Sequence, residues 1–105
     1  MNTTVQADTE AVLDVLRERR LEIERIAARH GAYNLRVFGS VARGEVTPES
    51  DIDLLVDAGT TVSPWFPAGM IVELEALLGR RVEVVTTGGL HTLLRERVFG
   101  EAVVL

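Results

Sequence analysis

Cysteine is absent from this 105-residue chain, which excludes disulfide staples and thiolate metal centres and fits a reducing compartment. Lysine is absent as well: all eleven basic residues are arginine, so no lysine can act as a nucleophile or grip a phosphate. Aromatic residues make up only 5%, and the core must rest on Leu, Val, Ile and Ala. No apolar run approaches the ~20 residues that cross a membrane. The stretch from Met1 to Gln6 lacks the basic-then-apolar layout of a secretion signal. A soluble, cytoplasmic protein with no membrane contact is expected. Positive charge is in deficit, with a formal net charge of −5. Without a clustered cationic surface, stable direct nucleic-acid binding by this chain alone is not expected. The acidic balance suits a cation site or a basic protein partner.

What is present is enough for a core. Hydrophobic residues reach 47%, and the length points to one domain spanning residues 1–105. Apolar residues at Val12, Leu16, Ile23, Ile26 and Ala27 recur at helical spacing, predicting one helix from Asp8 or Thr9 to His30 with Gly31 as its stop. Short apolar runs at 35–38, 51–56 and 81–85 predict strands. Helices are expected at 68–78, closed by Gly79, and at 90–99, with a last short strand at 102–105. The segment 59–67, with two prolines, reads as a loop. The order predicts an α/β (α+β) architecture: a small mixed β-sheet packed against helices.

The chemistry concentrates between Gly39 and Asp53. In a strand, side chains at i and i+2 share a face, roughly 6.6 Å apart along the chain. Asp51 and Asp53 therefore project together, while Ile52, Leu54 and Val56 turn to the buried side. Two neighbouring carboxylates repel, so they need a cation or full solvation. Mg²⁺ suits them, because it binds through one or two carboxylates and completes its shell with water and phosphate oxygens. Taken alone, Asp-x-Asp is more simply the wet face of an edge strand. The preceding strand, however, ends in Gly39-Ser40, where glycine permits close backbone approach and N–H groups at a helical turn attract phosphate. Arg43, one turn on, adds positive charge near a triphosphate or near the acceptor. A phosphate cradle beside a carboxylate pair outweighs either feature alone. A third carboxylate for a two-ion site is available at Glu83, whose neighbours Val82 and Val84 face the core; a solvent-facing charge is the simpler alternative for it.

Gly39-Ser40 through Asp51-Ile52-Asp53, with Arg43-Gly44 and Ser50 between, resembles the signature of the polymerase β-like nucleotidyltransferase superfamily. More closely, the chain is similar to the minimal nucleotidyltransferases encoded beside HEPN-domain toxins, and the likeness runs over nearly its whole length. The resemblance implies the minimal polymerase β-like nucleotidyltransferase fold, with ATP as substrate and a two-ion Mg²⁺ site. It places Gly39 and Ser40 on the terminal phosphates, matches Arg43 to an arginine of the family's motif at the nucleotide site, and gives Asp51, Asp53 and Glu83 catalytic and metal-holding roles. It further implies an antitoxin that transfers AMP to a tyrosine of a HEPN ribonuclease toxin, in a heteromeric complex.

Glu83 departs from the pattern, which usually has Asp there. Its extra methylene moves the carboxylate by about 1.5 Å, in a reaction sensitive to displacements of ~1 Å. That departure carries the competing reading, an antitoxin that neutralises by binding alone and keeps a vestigial nucleotide site. Trp65 and Phe66 either contribute to a partner surface or pack beneath the following helix. His30 and His91 read as helix-end residues without metal-ligand spacing, and Tyr33 as a packing or surface residue.

Overall fold

A computed structural model describes residues 3–105. Its elements run α1 (Thr3–Glu18), α2 (Arg20–Arg29), β1 (Ala32–Phe38), α3 (Gly39–Arg43), β2 (Ile52–Ala58), α4 (Ala68–Leu78), β3 (Val82–Thr86), a 3-10 turn (Thr87–Gly89), α5 (Thr92–Glu101) and β4 (Val103–Val104). The four strands form one mixed sheet in the order β3-β2-β1-β4. β1 is antiparallel to β2 and β4, while β2 and β3 are parallel. The parallel pair needs a crossover, and α4 supplies it.

Alternation along β2 divides the sheet into two unlike faces. Ile52, Leu54 and Val56 are buried, together with Val37 of β1 and Val82 and Val84 of β3. Leu16 of α1, Ile23 of α2, and Met70 and Leu74 of α4 pack onto this layer as one cluster. Asp53, Leu55 and Asp57 lie on the other face. There only Leu55 is fully buried, and α5, whose single buried residue is Val98, covers the sheet sparsely. A helix-packed face and a largely open face are what let carboxylates stand in the middle of a sheet.

The N-terminal helix differs from expectation. The chain is already helical at Thr3, and the helix breaks at Arg19, so α1 and α2 are separate elements. Thr9, expected as a cap, lies inside α1, 5% exposed. Its hydroxyl donates to the Val5 carbonyl at 2.8 Å and accepts the Val46 amide at 3.1 Å. It ties the loop after α3 to the helix layer. Thr9→Val keeps the shape but leaves the Val46 amide buried without a partner, a loss of about 1–3 kcal/mol. Chemical denaturation is expected to show that loss with an unchanged m-value.

The 59–67 loop is pinned at its base. Ser63 donates its amide to the His30 carbonyl at 3.1 Å, and its hydroxyl meets His30 Nδ1 at 2.6 Å. His30 Nε2 pairs with Glu73 of α4. Thus His30 ends α2, as expected, and also clamps the loop. Phe66 packs against the core, whereas Trp65 is 88% exposed. His91 caps α5 by accepting the Leu93 amide at 3.2 Å. Tyr33 is a surface residue of β1. No described helix is long and apolar enough to cross a membrane.

Candidate active site

β1 ends at Phe38, which lies in register with Asp53, and Asp53 in turn lies in register with Glu83 of β3. Three adjacent strands therefore bring the glycine turn, the second motif aspartate and the third acid into one row. Gly39 adopts a left-handed φ of +68°. A Cβ there would fall 2.1 Å from Asp53 Oδ2. The glycine thus serves a purpose the sequence alone does not disclose: it makes room for the Asp53 carboxylate as well as bending the backbone.

Asp53 and Glu83 stand close enough to share a hydrogen bond, and Asp53 is pushed up to about 6 from its ordinary 3.8. Partial burial is the largest cause, followed by the charge and hydrogen bond of Glu83 and then the charge of Asp51; Arg43 opposes these. Two carboxyl groups facing each other under partial desolvation form a hard-oxygen donor set that favours a divalent cation. Asp51 is directed elsewhere. Its Oδ1 accepts Arg81 Nε at 3.1 Å, and among the described residues no three His, Asp or Glu side chains form a ready metal cage. Arg81 is 79% exposed, and exposed pairs of this kind are worth roughly 0–1 kcal/mol. Turning Asp51 toward an ion beside Asp53 therefore costs little. The facing carboxyl groups of Asp53 and Glu83 fit the chemistry of Mg²⁺, with the charge of Asp51 close enough to act on Asp53.

The residues expected to meet phosphate lie on α3, the one-turn helix expected after Gly39, which ends at Gly44. Ser40 is half-buried on its first turn. Two of the groups expected to meet phosphate are already held by protein. The Gly39 amide donates to Glu101 Oε1 at 3.0 Å. Arg43 donates through Nε to Glu45 at 3.2 Å and through Nη1 to both Glu101 oxygens at 3.3 Å. These contacts, Glu45 first and Glu101 second, hold its proton more firmly than usual. Sequence reasoning missed Glu101 and Arg81. No local pattern marks either: Glu101 lies 62 positions from Gly39, and Arg81 reads as an ordinary charge at a strand end. A groove of about 400 Å³, lined in part by Ser50, Asp51, Arg80 and Arg81, opens beside the motif.

The chain belongs to the nucleotidyltransferase domain family, whose model matches residues 18–105; it is a nucleotidyltransferase. Its fold is that of the minimal nucleotidyltransferases. A solved structure of a candidate minimal nucleotidyltransferase superposes with a TM-score of 0.78 at 47% identity, covering 89% of this chain and 95% of that one. The candidate protein adenylyltransferase MJ0435 of Methanocaldococcus jannaschii is 39% identical over 88 residues, 84% of this chain and 95% of its own length. Protein adenylyltransferase MntA of Thermococcus cleftensis is 39% identical over 75 residues, 71% of this chain and 76% of its own. A toxin–antitoxin crystal structure with AMP-PNP matches at a TM-score of 0.68, covering 83% of this chain and 69% of that one; at 22% identity it speaks to the fold alone.

Proposed function

We propose that this chain is a Mg²⁺-dependent protein adenylyltransferase antitoxin that moves AMP from ATP onto a tyrosine of a partner HEPN ribonuclease toxin and so silences it. The observation that carries the reading is the row formed by Gly39, Asp53 and Glu83 across three strands. Similarity to protein adenylyltransferases of archaea, MntA among them, supports the acceptor class, and the toxin–antitoxin structure with AMP-PNP shares the fold.

In this reading Ser40, the Gly39 turn and Arg43 orient the triphosphate, while Asp51, Asp53 and Glu83 hold the ion. Mg²⁺, when bound, neutralises charge on the phosphates and polarises the α-phosphate. The tyrosine oxygen attacks the α-phosphorus, the bond to the bridging oxygen breaks, and pyrophosphate leaves. The phenolic proton passes to a carboxylate, and Glu83, the acid expected nearest the attacking hydroxyl, takes it in this reading. The working compartment is the cytoplasm, where ATP is available.

A second reading has its own observation. Glu101 occupies the Gly39 amide and Arg43, and Arg81 occupies Asp51, an arrangement that also fits an antitoxin acting by binding alone. One experiment separates them: label transfer from α-³²P-ATP with Mg²⁺ onto a co-expressed HEPN partner, for wild type and for Asp51→Asn/Asp53→Asn. The proposal expects label on the partner that disappears in the double variant. Equal neutralisation by both proteins without any label would replace it with the binding reading.

A further inference from the structure

Glu101 is the last residue of α5, and it is absent from the motif that defines the site. Its carboxylate nevertheless bonds two groups that face the nucleotide in the proposed function, the Gly39 amide and the Arg43 guanidinium. The side chain is only 19% exposed. Its backbone is fixed from both sides: Val98, one turn earlier, is buried, and β4 just beyond is paired with β1. Withdrawing the carboxylate would leave a half-buried amide without a partner, so the contact belongs to the framework of the site.

We propose that Glu101 is a positioning residue for triphosphate binding: it locks the Gly39 turn and the Arg43 side chain into one arrangement before the nucleotide arrives. The proposal rests on the reading of Gly39, Ser40 and Arg43 as the phosphate site. An arginine side chain is long and loses much freedom when it binds, but a fork already fixed loses less. Glu45 holds one edge of this fork and Glu101 a terminal nitrogen. A guanidinium has five N–H donors, so donors remain for phosphate while both carboxylates stay bound. Anchoring the Gly39 amide also fixes the backbone against which Asp53 Oδ2 rests, so one carboxylate steadies both the phosphate turn and the metal-facing acid.

The test uses the full chain with AMP-PNP and Mg²⁺ as probe, followed by calorimetry, for wild type, Glu101→Gln, Arg43→Ala and the double variant. Glu101→Gln keeps an acceptor for the Gly39 amide but loses the charge on Arg43, and binding is expected to weaken about tenfold. The double variant is expected to bind no more weakly than Arg43→Ala, because Gln still accepts from the Gly39 amide and the lost carboxylate charge acts on phosphate only through that arginine. Losses that simply add would assign Glu101 a general structural role and overturn the proposal. Tighter binding in Glu101→Gln would overturn it too, by making the carboxylate a competitor for the phosphate groups. Glu101→Asp, which keeps the charge but draws it back, is expected to fall between wild type and Glu101→Gln and serves if the latter does not fold. If Arg43→Ala binds as well as wild type, the phosphate-site reading itself fails. If Arg43→Ala weakens binding while Glu101→Gln does not, only the role of Glu101 fails.

Discussion

Asp53→Asn is expected to make the metal-free protein more stable above neutral pH while removing nucleotidyl transfer. The carboxyl of Asp53 is pushed up to about 6 by partial burial, by Glu83 and by Asp51. In the unfolded chain the same group titrates near 3.8. Between those values the folded protein holds a proton that the unfolded chain has lost. Stability therefore falls as pH rises through the window from about 4 to 6, and the full repulsion is present above it. A shift of about two units corresponds to roughly 3 kcal/mol. Solvent reaches this half-open site, and after screening about 1–2 kcal/mol is the reasonable expectation. Asparagine removes the charge and keeps the shape. For a chain of this size each kcal/mol moves the melting temperature by about 4–8 °C. Calorimetric melts in EDTA at about pH 8 should place Asp53→Asn above wild type, with the gap closing near pH 4. Asp51→Asn should gain less, since Arg81 already pairs with Asp51. A lower melting temperature for Asp53→Asn at both pH values would refute the claim that burial and neighbouring carboxylates make the ionised Asp53 destabilising.

The placing of carboxylates side by side at a cost in stability was partly visible in the sequence. Ile52, Leu54 and Val56 alternate with Asp51 and Asp53, and a period of two with acids on one side has few structural solutions. The structure adds that Leu55 is buried on the acidic face, so the carboxylate row is confined to the end of β2 nearest Gly39. α4 spans 68–78 as expected, because Pro67 and Gly79 punctuate both ends. The break at Arg19 left no such mark. The apolar stripe from Leu16 to Ile23 keeps one phase across it, and neither glycine nor proline interrupts the run. The helix starts earlier than Asp8 for a related reason: Thr9 looks like a cap in sequence, but its hydroxyl is used by Val5 and Val46, the latter 37 positions away. Glu101 and Arg81 were illegible on the same ground. A charged residue on an exposed helix or strand end has one sequence appearance whether it is solvated or reaches an amide across the fold. What the motif could not disclose was therefore which partners hold its residues, because those partners are brought in by tertiary packing.

Gly39→Ala is expected to cost about a hundredfold or more in transfer, although it adds a single methyl group. Two effects act together. The φ of +68° disfavours any residue with a Cβ, at about 1–2 kcal/mol for an L side chain. The new methyl would also fall 2.1 Å from Asp53 Oδ2 and 3.0 Å from its Cγ, so the carboxylate must rotate away. A displacement of ~1 Å in a reacting group can cost about a hundredfold. The clash adds to the backbone strain, and although moving Asp53 away from Glu83 relieves part of the repulsion, the stability loss should still exceed the strain alone. Here Gly39→Ala parts from Asp53→Asn: both lose activity, but the first melts lower than wild type and the second higher. The two sites should also be coupled. In a Gly39→Ala/Asp53→Ala double variant the clash is gone, and the destabilisation by Gly39→Ala should shrink to the backbone strain alone. Melting temperatures for the four proteins of that cycle, with initial transfer rates for the two single variants, provide the check. Additive melting temperatures together with near-normal transfer by Gly39→Ala would mean that Asp53 does not need the space this glycine leaves, and that the turn is glycine for its backbone angle only.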